Sequence, residues 1–390
     1  MDKLKLLETM DVYLPDVDGV INCMHNLCLN LNDKTELTAL VPKNKKGYVD
    51  NLPYNIKRCK SIHIPILNQY YGLPKFDNKI KKFVKTTDFD IIHVHSPFGM
   101  SKFALKIAKK KKIPIVATFH SNMRPIFRDV VKSKFIAERM VKSLGRRYNK
   151  FDEVFVCSPL VAEQARSFGY KGKITYLPFG TDFKRCENVT ELSLKANESF
   201  NIEKRELVFI YIGRITKLKR IDFILRSLKI VKDKGIKFKF YIVGKGFETD
   251  ALKKLTKKLD LDDCVIFTGF LERELFPQLL SRANLLLFPS TYDNFGLVKV
   301  ECAAYEIPGI FIENSCAGYG VTDGVNGFLS EDNEQAFANK ICEATENFDK
   351  LVQIGKNASR DLYISWAECA DLLLKRLTEI VEEKKNENKK

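Results

Sequence analysis

The sequence lacks any run approaching the roughly 20 consecutive apolar residues needed to cross a bilayer. Its first ten residues, Met1–Met10, have neither a long apolar core nor a small-residue cleavage site, so no membrane anchor or signal peptide is expected. A CxxC pair is missing too. The ten cysteines are scattered, Cys23 and Cys28 lying nearest each other, and no second pair follows at zinc-site spacing. That argues against a disulfide framework and predicts free thiols, several buried as small hydrophobes, in a cytoplasmic chain. The dinucleotide fingerprint GxGxxG and the Walker A sequence are absent, which counts against a dehydrogenase and a P-loop kinase. No RNA-binding aromatic motif or zinc finger accompanies the basic residues, so nucleic acid, suggested by charge alone, is not an expected partner.

What is present fits a globular protein of ordinary core content: 390 residues, enough for two domains, with a 45% hydrophobic fraction. The formal net charge of +16 favours an anionic partner: phosphate groups, acidic lipid or, as a distant alternative, nucleic acid. A Lys-rich surface without a partner explains the same number until the charge is located.

Short β-rich runs alternate with helical segments. Lys5–Glu8, Leu37–Val41, Ser61–Ile66, Asp90–His95, Ile113–Phe119 and Glu153–Cys157 read as buried strands, with helical spacing over Val20–Leu31 and Lys102–Lys111. This alternation predicts an α/β fold with parallel sheets and helices on both faces. Residues 185–205 are polar and without period, and are read as a linker after a first domain, 1–184. Alternation then restarts with Leu207–Ile212, Phe238–Val243, Val265–Thr268, Asn284–Phe288 and Gly309–Ile312, giving a second domain, 206–362. A helix over 363–383, with Leu373, Leu377 and Ile380 at helical spacing, is expected to return to the first domain, and 384–390 reads as a frayed polar tail.

Asp293 and Glu301 are two acids separated by seven residues, following the apolar run Leu285–Phe288. Gly296 can open a helix whose first amides would receive an anion, and Glu301 would then accept hydrogen bonds from a ribose diol. A capped helix with a solvated acid explains the pair equally well. Arg214 and Lys219 follow the strand Leu207–Ile212, where two cations can grip a diphosphate and neutralise it as it leaves. A basic surface loop is the bland alternative. Gly244 and Gly246 form a lone GxG, which a turn alone would explain.

Nearer the N-terminus, Asp16-Val17-Asp18-Gly19-Val20 joins the first strand to the first helix. Gly19 would let backbone approach a ligand; Asp18 also suits an ordinary helix cap. His93 and His95, two apart on one strand, share a face, and His120 ends the next strand. Three such histidines can bind zinc, but ligand-like spacing is lacking elsewhere. His120 is therefore read as a polar group on a ligand-facing wall, with no metal.

Together these segments resemble family 4 of the retaining glycosyltransferases, which have the GT-B fold: two Rossmann-like domains facing a central cleft. The resemblance runs from Pro15 to Trp366. Its most specific element is Asp293–Glu301, similar to the family's pair of acids seven residues apart. Gly213–Lys219, Val243–Gly246, Val265–Phe270, Leu287–Ser290, Asp323–Phe328, His93–Pro97 and Thr118–Ser121 are also similar. The resemblance implies that Arg214 and Lys219 hold the donor diphosphate and Glu301 the ribose. Asp293 and the amides of Phe295, Gly296 and Leu297 would hold the transferred sugar and phosphate. Gly19 would lie near the diphosphate and His120 near the reacting sugar, with no tightly bound cofactor. Three features depart from the pattern: Asp293 stands where Glu is usual, Asp18-Gly19 where two glycines are common, and Tyr305–Pro308 where glycine precedes the proline. They bear on the donor sugar more than on the reaction class.

Residues 124–150 carry Arg124, Arg128, Lys132, Lys134, Arg139, Lys142, Arg146, Arg147 and Lys150 against Asp129 and Glu138 alone. Phe127, Val131, Met140 and Leu144 recur at helical intervals, with Ile136 between. The expectation is one basic amphipathic helix lying on an anionic membrane surface; a helix packed on its own domain is the alternative. The segment around Gly19 and the run Asn314–Gly324 look like bacterial enzymes that build glycosyl-diacylglycerols. The resemblance therefore implies transfer of glucose from UDP-glucose to a lipid acceptor, by an enzyme peripheral on the inner face of the cell membrane. A sugar acceptor in capsule or cell-wall polysaccharide assembly is the nearest alternative.

Overall fold

Runs such as Leu6–Leu7 and Leu285–Phe288 are buried along their length, the pattern of strands covered on both faces. In the computed structural model, which describes residues 3–387 except 17, 45–47, 66–68, 121, 204, 205 and 273, these runs form the centres of two parallel sheets. The chain divides into two units: Met1–Phe179 with Trp366–Lys390, and Gly180–Ser365.

The first unit begins β1 (Leu4–Thr9), α1 (Gly19–Leu31), β2 (Thr35–Pro42), β3 (Asn55–Cys59), β4 (Ser61–Ile64) and β5 (Gln69–Gly72). It continues α2 (Asn78–Thr86), β6 (Ile91–Val94), α3 (Gly99–Lys111), β7 (Ile115–Thr118), α4 (Met123–Val131), α5 (Lys134–Tyr148), β8 (Glu153–Val156), α6 (Pro159–Ser167) and β9 (Lys173–Tyr176). Seven strands pair in the order β3-β2-β1-β6-β7-β8-β9. The order reverses between β1 and β6, so the loops leaving their C-terminal ends diverge there, which in doubly wound sheets opens a ligand crevice. Ser61–Ile66 was expected in this sheet, but β4 instead pairs antiparallel with β5 in a separate hairpin; Ile66 lies outside the described residues. Ile62 is 52% exposed, too open for a central parallel strand.

The second unit runs α7 (Val189–Ser199), β10 (Leu207–Ile212), α8 (Ile221–Asp233), β11 (Phe238–Val243), α9 (Thr249–Lys258), β12 (Val265–Gly269) and α10 (Leu275–Arg282). Then come β13 (Leu285–Phe288), α11 (Leu297–Ala303), β14 (Gly309–Ile312), β15 (Phe328–Ser330), α12 (Glu334–Thr345) and α13 (Phe348–Asp361). Its parallel sheet has the order β12-β11-β10-β13-β14-β15. The switch falls between β10 and β13, whose following loops are Gly213–Lys219 and Pro289–Gly296.

The stretch 185–205 is not a linker. It contains α7, which packs on α10: Ala196 is buried, Asn197 Oδ1 accepts from Arg282 Nε at 2.8 Å, and Ser199 Oγ bonds Gln278 at 2.9 Å. Its polar composition misleads because one narrow face carries the packing. The chain closes with α14 (Trp366–Glu387), which lies against α1 and buries Leu373, Leu377 and Ile380. Arg376 forks onto Glu153 at 3.0 and 2.8 Å. The helix does not fray at residue 384: Lys384 reaches Asp152 at 3.4 Å and helical structure continues to Glu387.

Segment 124–150 is two helices rather than one. Lys132 takes a left-handed conformation with φ 50°, ending α4, and the Ser133 hydroxyl accepts from Ile136 N to start α5. The stripe named from sequence turns largely inward: Phe127 and Leu144 are buried with Ala137, Val141 and Tyr148, and Val131 and Met140 are half-buried.

Candidate active site

In the second unit, the fold brings the two motifs at its switch point together. Lys219 Nζ lies 2.5 Å from Asp293 Oδ1 and 5.5 Å from the centre of the Phe288 ring. The second Asp293 oxygen is buried without a hydrogen-bond partner. A carboxylate with one oxygen unmatched in a buried place costs free energy unless a ligand donates to it. Arg214 is exposed on the same loop, and its carbonyl accepts from the Tyr211 hydroxyl at 3.1 Å. Burial, with the Asp293 charge nearby, pushes that phenol up, so it stays protonated. Arg220, the next cation, is committed elsewhere. It bonds the Pro289 carbonyl at 3.2 Å, pairs with Asp332 and lies over the Phe223 ring.

The glycines of Gly244-Lys245-Gly246 answer to packing. A Cβ on Gly244 would stand 2.0 Å from the Gly213 carbonyl oxygen, and one on Gly246 would stand 1.9 Å from that of Ile215. Gly213 N donates to Val243 and Ile215 N to Lys245, each at 3.0 Å. Two loops leaving adjacent strands thus run in backbone contact, and side chains at 244 and 246 would part them.

Gly296, with φ 69°, turns the chain into α11, which starts at Leu297. Glu301 sits on this helix in a desolvated position, and burial, reinforced by the Asp182 charge, raises its carboxyl to about 7. Such a shift marks a group whose charged form lacks partners in the unliganded chain.

In the first unit, Asp18 caps α1, its Oδ1 accepting from Val20 N and Ile21 N at 2.8 Å each. Gly19 follows with nothing within 4 Å of where a Cβ would lie, so open space adjoins the helix start. Val17 and Ser121 lie outside the described residues. His93 and His95 do share a face, and both reach Glu8, at 3.0 and 2.8 Å. His95 in turn meets His120 at 2.9 Å. Glu8, His93 and His95, and likewise Cys23, His95 and His120, hold donor atoms within 4.8 Å of one another, close enough for a metal set. Both ring nitrogens of His93 and of His95 are already spent in hydrogen bonds.

The first unit matches the family model described as Glycosyltransferase Family 4 over residues 17–185, and the second matches Glycosyl transferases group 1 over 194–361. The chain belongs to glycosyltransferase family 4. Among similar family members, the alpha-monoglucosyldiacylglycerol synthase of Acholeplasma laidlawii is 24% identical over 359 residues, 89% of this chain and 90% of that one. The synthase of that name from Streptococcus pneumoniae is 24% identical over 382 residues, 90% of this chain and 87% of that one. The structure of Anabaena Alr3699/HepE in complex with UDP overlays with a TM-score of 0.76 at 19% identity, covering 96% of this chain and 100% of that one. Its complex with UDP-glucose gives 0.73. The likeness shows the GT-B fold.

Two features of this family 4 chain escaped the sequence reading. Lys299, inside the seven-residue spacer, is buried, and its Nζ donates to the Ala317 and Tyr319 carbonyls at 2.8 and 2.5 Å. It ties the 314–324 loop to α11. Glu8 is a lone acid in an apolar strand, a pattern that calls for buried partners, and its register opposite His93 supplies one. Of the six cations expected at an acceptor surface, Arg124 is held by Glu138 at 3.0 Å, by Ser167 and by the Phe168 ring. Arg128 shares Glu138 at 2.9 Å. Lys132, Lys134, Arg139 and Lys142 are exposed and form no ion pair with a described acid. Beside them stand Ile136 of the expected stripe, 48% exposed, and two apolar side chains that sequence spacing did not single out, Val130 at 67% and Phe135 at 71%.

Proposed function

We propose that this glycosyltransferase is a retaining hexosyltransferase that moves glucose from UDP-glucose to a membrane lipid, diacylglycerol or a glycosyl-diacylglycerol. The observation that carries the reading is the exposed group Val130, Phe135 and Ile136 among Lys132, Lys134, Arg139 and Lys142. Apolar side chains of this size cost free energy in water, and cations beside them suit an anionic interface. The first unit also has a cavity of about 1230 Å³ whose lining includes Lys102, Lys106, Lys109, Lys112, Arg146 and Lys150, with Asp152 its single acid. The positive charge is therefore gathered on this unit in at least two places. Among the described residues, no helix is long and apolar enough to cross a membrane, so attachment would be peripheral, on the inner face of the cell membrane. The names of the Acholeplasma and Streptococcus relatives support the acceptor, and the UDP and UDP-glucose complexes of the Anabaena protein support the donor.

In this reading Arg214 and Lys219 hold the diphosphate, and Asp293 turns its unmatched oxygen to a sugar hydroxyl. Glu301 takes the ribose diol. Phe295, Gly296 and Leu297 present amides to the sugar and phosphate, and Gly19 and His120 serve from the first unit. The bond from the anomeric carbon to the phosphate oxygen breaks as the acceptor oxygen attacks from the same face. The departing phosphate takes the acceptor proton, and the cations stabilise the charge it gains. No tightly bound cofactor or metal enters the scheme.

The test supplies radiolabelled UDP-glucose to the enzyme with diacylglycerol in anionic vesicles. The expected result is a labelled α-linked glycolipid. Transfer only to soluble sugars, or a β-linked product, overturns the proposal.

A further inference from the structure

An acid buried in a strand must find donors or neutralise. Glu8 on β1 stands in register with His93 on β6, and His95 lies two residues on, on the same face. Each Glu8 oxygen meets one imidazole, Oε1 with His93 Nδ1 at 3.0 Å and Oε2 with His95 Nε2 at 2.8 Å. All three side chains are fully buried. His93 Nε2 continues to the Thr118 hydroxyl at 2.8 Å, and His95 Nδ1 to His120 Nε2 at 2.9 Å. His120 is also fixed in plane, stacked between His95 at 5.2 Å and Phe179 at 5.4 Å.

We infer that Glu8 and His95 are positioning residues that hold His120, the ring placed beside the transferred sugar, as the Nε2–H tautomer. This rests on the proposed function, which puts His120 beside that sugar. The donors follow one another along the chain of bonds. An ionised carboxylate only accepts, so His93 Nδ1 and His95 Nε2 must each donate. A neutral His95 then has a lone pair on Nδ1, and His120 Nε2 must supply the hydrogen. If His95 were an imidazolium, both its nitrogens would donate and the His120 tautomer would reverse.

The electrostatics favour the first state. Burial alone would raise the Glu8 carboxyl, but the two imidazoles hold it down at about 2. Burial, with His93 adjacent, lowers His95 to about 4. His120 is lowered as well, chiefly by burial. Cys23, whose sulfur also approaches His95 and His120, stays a neutral thiol because burial pushes it up. At neutral pH Glu8 thus keeps its negative charge, and His95 and His120 are neutral rings.

The experiment uses the full chain labelled with ¹⁵N-histidine. Two-bond nitrogen–proton correlations report the tautomer of each of the five histidines, with His120→Gln identifying the signals of His120. The expected wild-type result is an Nε2–H ring at His120, unchanged from pH 6 to 8. An Nδ1–H ring or an imidazolium there overturns the proposal without any need for a buried variant to fold. Glu8→Gln keeps shape and removes charge. Because the imidazole's orienting group is lost, kcat should fall about tenfold or more with the donor KM unchanged, and His120 should become a tautomer mixture. In a His120→Ala background, Glu8→Gln should cost nothing further; an equal cost there overturns the positioning role. Full activity of His120→Ala would instead sink the placement of His120 at the sugar, while an Nε2–H ring in the wild type would leave the tautomer assignment standing.

Discussion

Replacing Glu301 by Gln should make the protein more stable at alkaline pH while weakening its hold on UDP. The carboxyl ionises near 7 in the folded chain against an ordinary 4.5, because burial and the Asp182 charge disfavour the anion. A raised acid binds its proton more tightly folded than unfolded. Between pH 4.5 and 7 the folded state therefore carries more protons, and stability declines as pH rises through that window. Above 7 the full penalty applies: 2.5 pKa units at 1.36 kcal/mol each is about 3 kcal/mol. Gln never ionises, so its stability advantage over Glu should grow by about 2–3 kcal/mol between pH 5 and pH 8.5. For a cooperative unit of 150–250 residues this is a Tm gain of roughly 5–10 °C. The same carboxylate should repay its cost when two ribose hydroxyls donate to it, which draws its pKa down and releases a proton. UDP affinity of the wild type should thus rise from pH 5.5 to 8 more steeply than that of Glu301→Gln. The variant should also bind UDP about tenfold or more weakly at pH 8. Calorimetry in two buffers of different ionisation enthalpy measures the proton, and thermal melts across pH measure the stability. A stability difference that does not change with pH refutes the reasoning, because burial of the charge would then not be its source.

Arg214→Ala should lower kcat by about 100-fold or more at saturating donor, with Tm nearly unchanged because the side chain is exposed; normal turnover removes it from the diphosphate site. Gly246→Ala forces a Cβ to within 1.9 Å of the Ile215 carbonyl and should lower Tm, whereas Gly19→Ala meets open space and should fold normally yet lose donor turnover. A Gly19→Ala enzyme of full activity would mean that no substrate approaches there. Replacing Lys132, Lys134, Arg139 and Lys142 by Ser should release the protein from anionic vesicles, at about 1 kcal/mol per cation. Donor hydrolysis by water should change little, and vesicle binding like the wild type's would overturn the membrane reading of α4 and α5.

The sequence exposes the central strands and one apolar edge, β12, but hides the three more polar or shorter edges. Leu285–Phe288 and Phe238–Val243 are apolar because neighbours cover both faces, and composition reveals them. β3, β9 and β15, all missed, lie at sheet edges. β3 spells Asn-Ile-Lys-Arg-Cys and β9 Lys-Ile-Thr-Tyr, because an edge keeps one side open to water. Helix boundaries were legible where a cap was considered, as with Asp18. Ser133, three residues before Ile136, carried the signal of a second helix that the apolar spacing of 124–150 concealed. At the site, residue types were legible and partnerships were not. Lys219 and Asp293 are 74 residues apart, and only the strand order places their loops side by side. At Gly244 and Gly246 the contact of two loops is by itself enough to require glycine, which the spacing could not reveal.

The charges of the two units are sorted in a way that suits one reaction class. In the second unit the groups at the switch point are cationic, Arg214 and Lys219, with Asp293 tied to Lys219. In the first unit Glu8 keeps its negative charge in the buried cluster, and His95 and His120 do not take a positive one. Glycosyl transfer through a loose transition state leaves positive charge on the sugar ring and negative charge on the departing phosphate. On the proposed reading, which sets His120 beside the sugar, an imidazolium there would repel the first of these. A neutral imidazole backed by a carboxylate favours it instead, and the lysine and arginine favour the second. On the proposed reading Glu8 orients the chain of bonds, while burial, against the pull of Glu8 on His95, keeps His95 and His120 neutral where a cation would oppose the chemistry. A Gln there removes the charge that fixes the donors along the chain of bonds, so its effect should appear in kcat before it appears in binding.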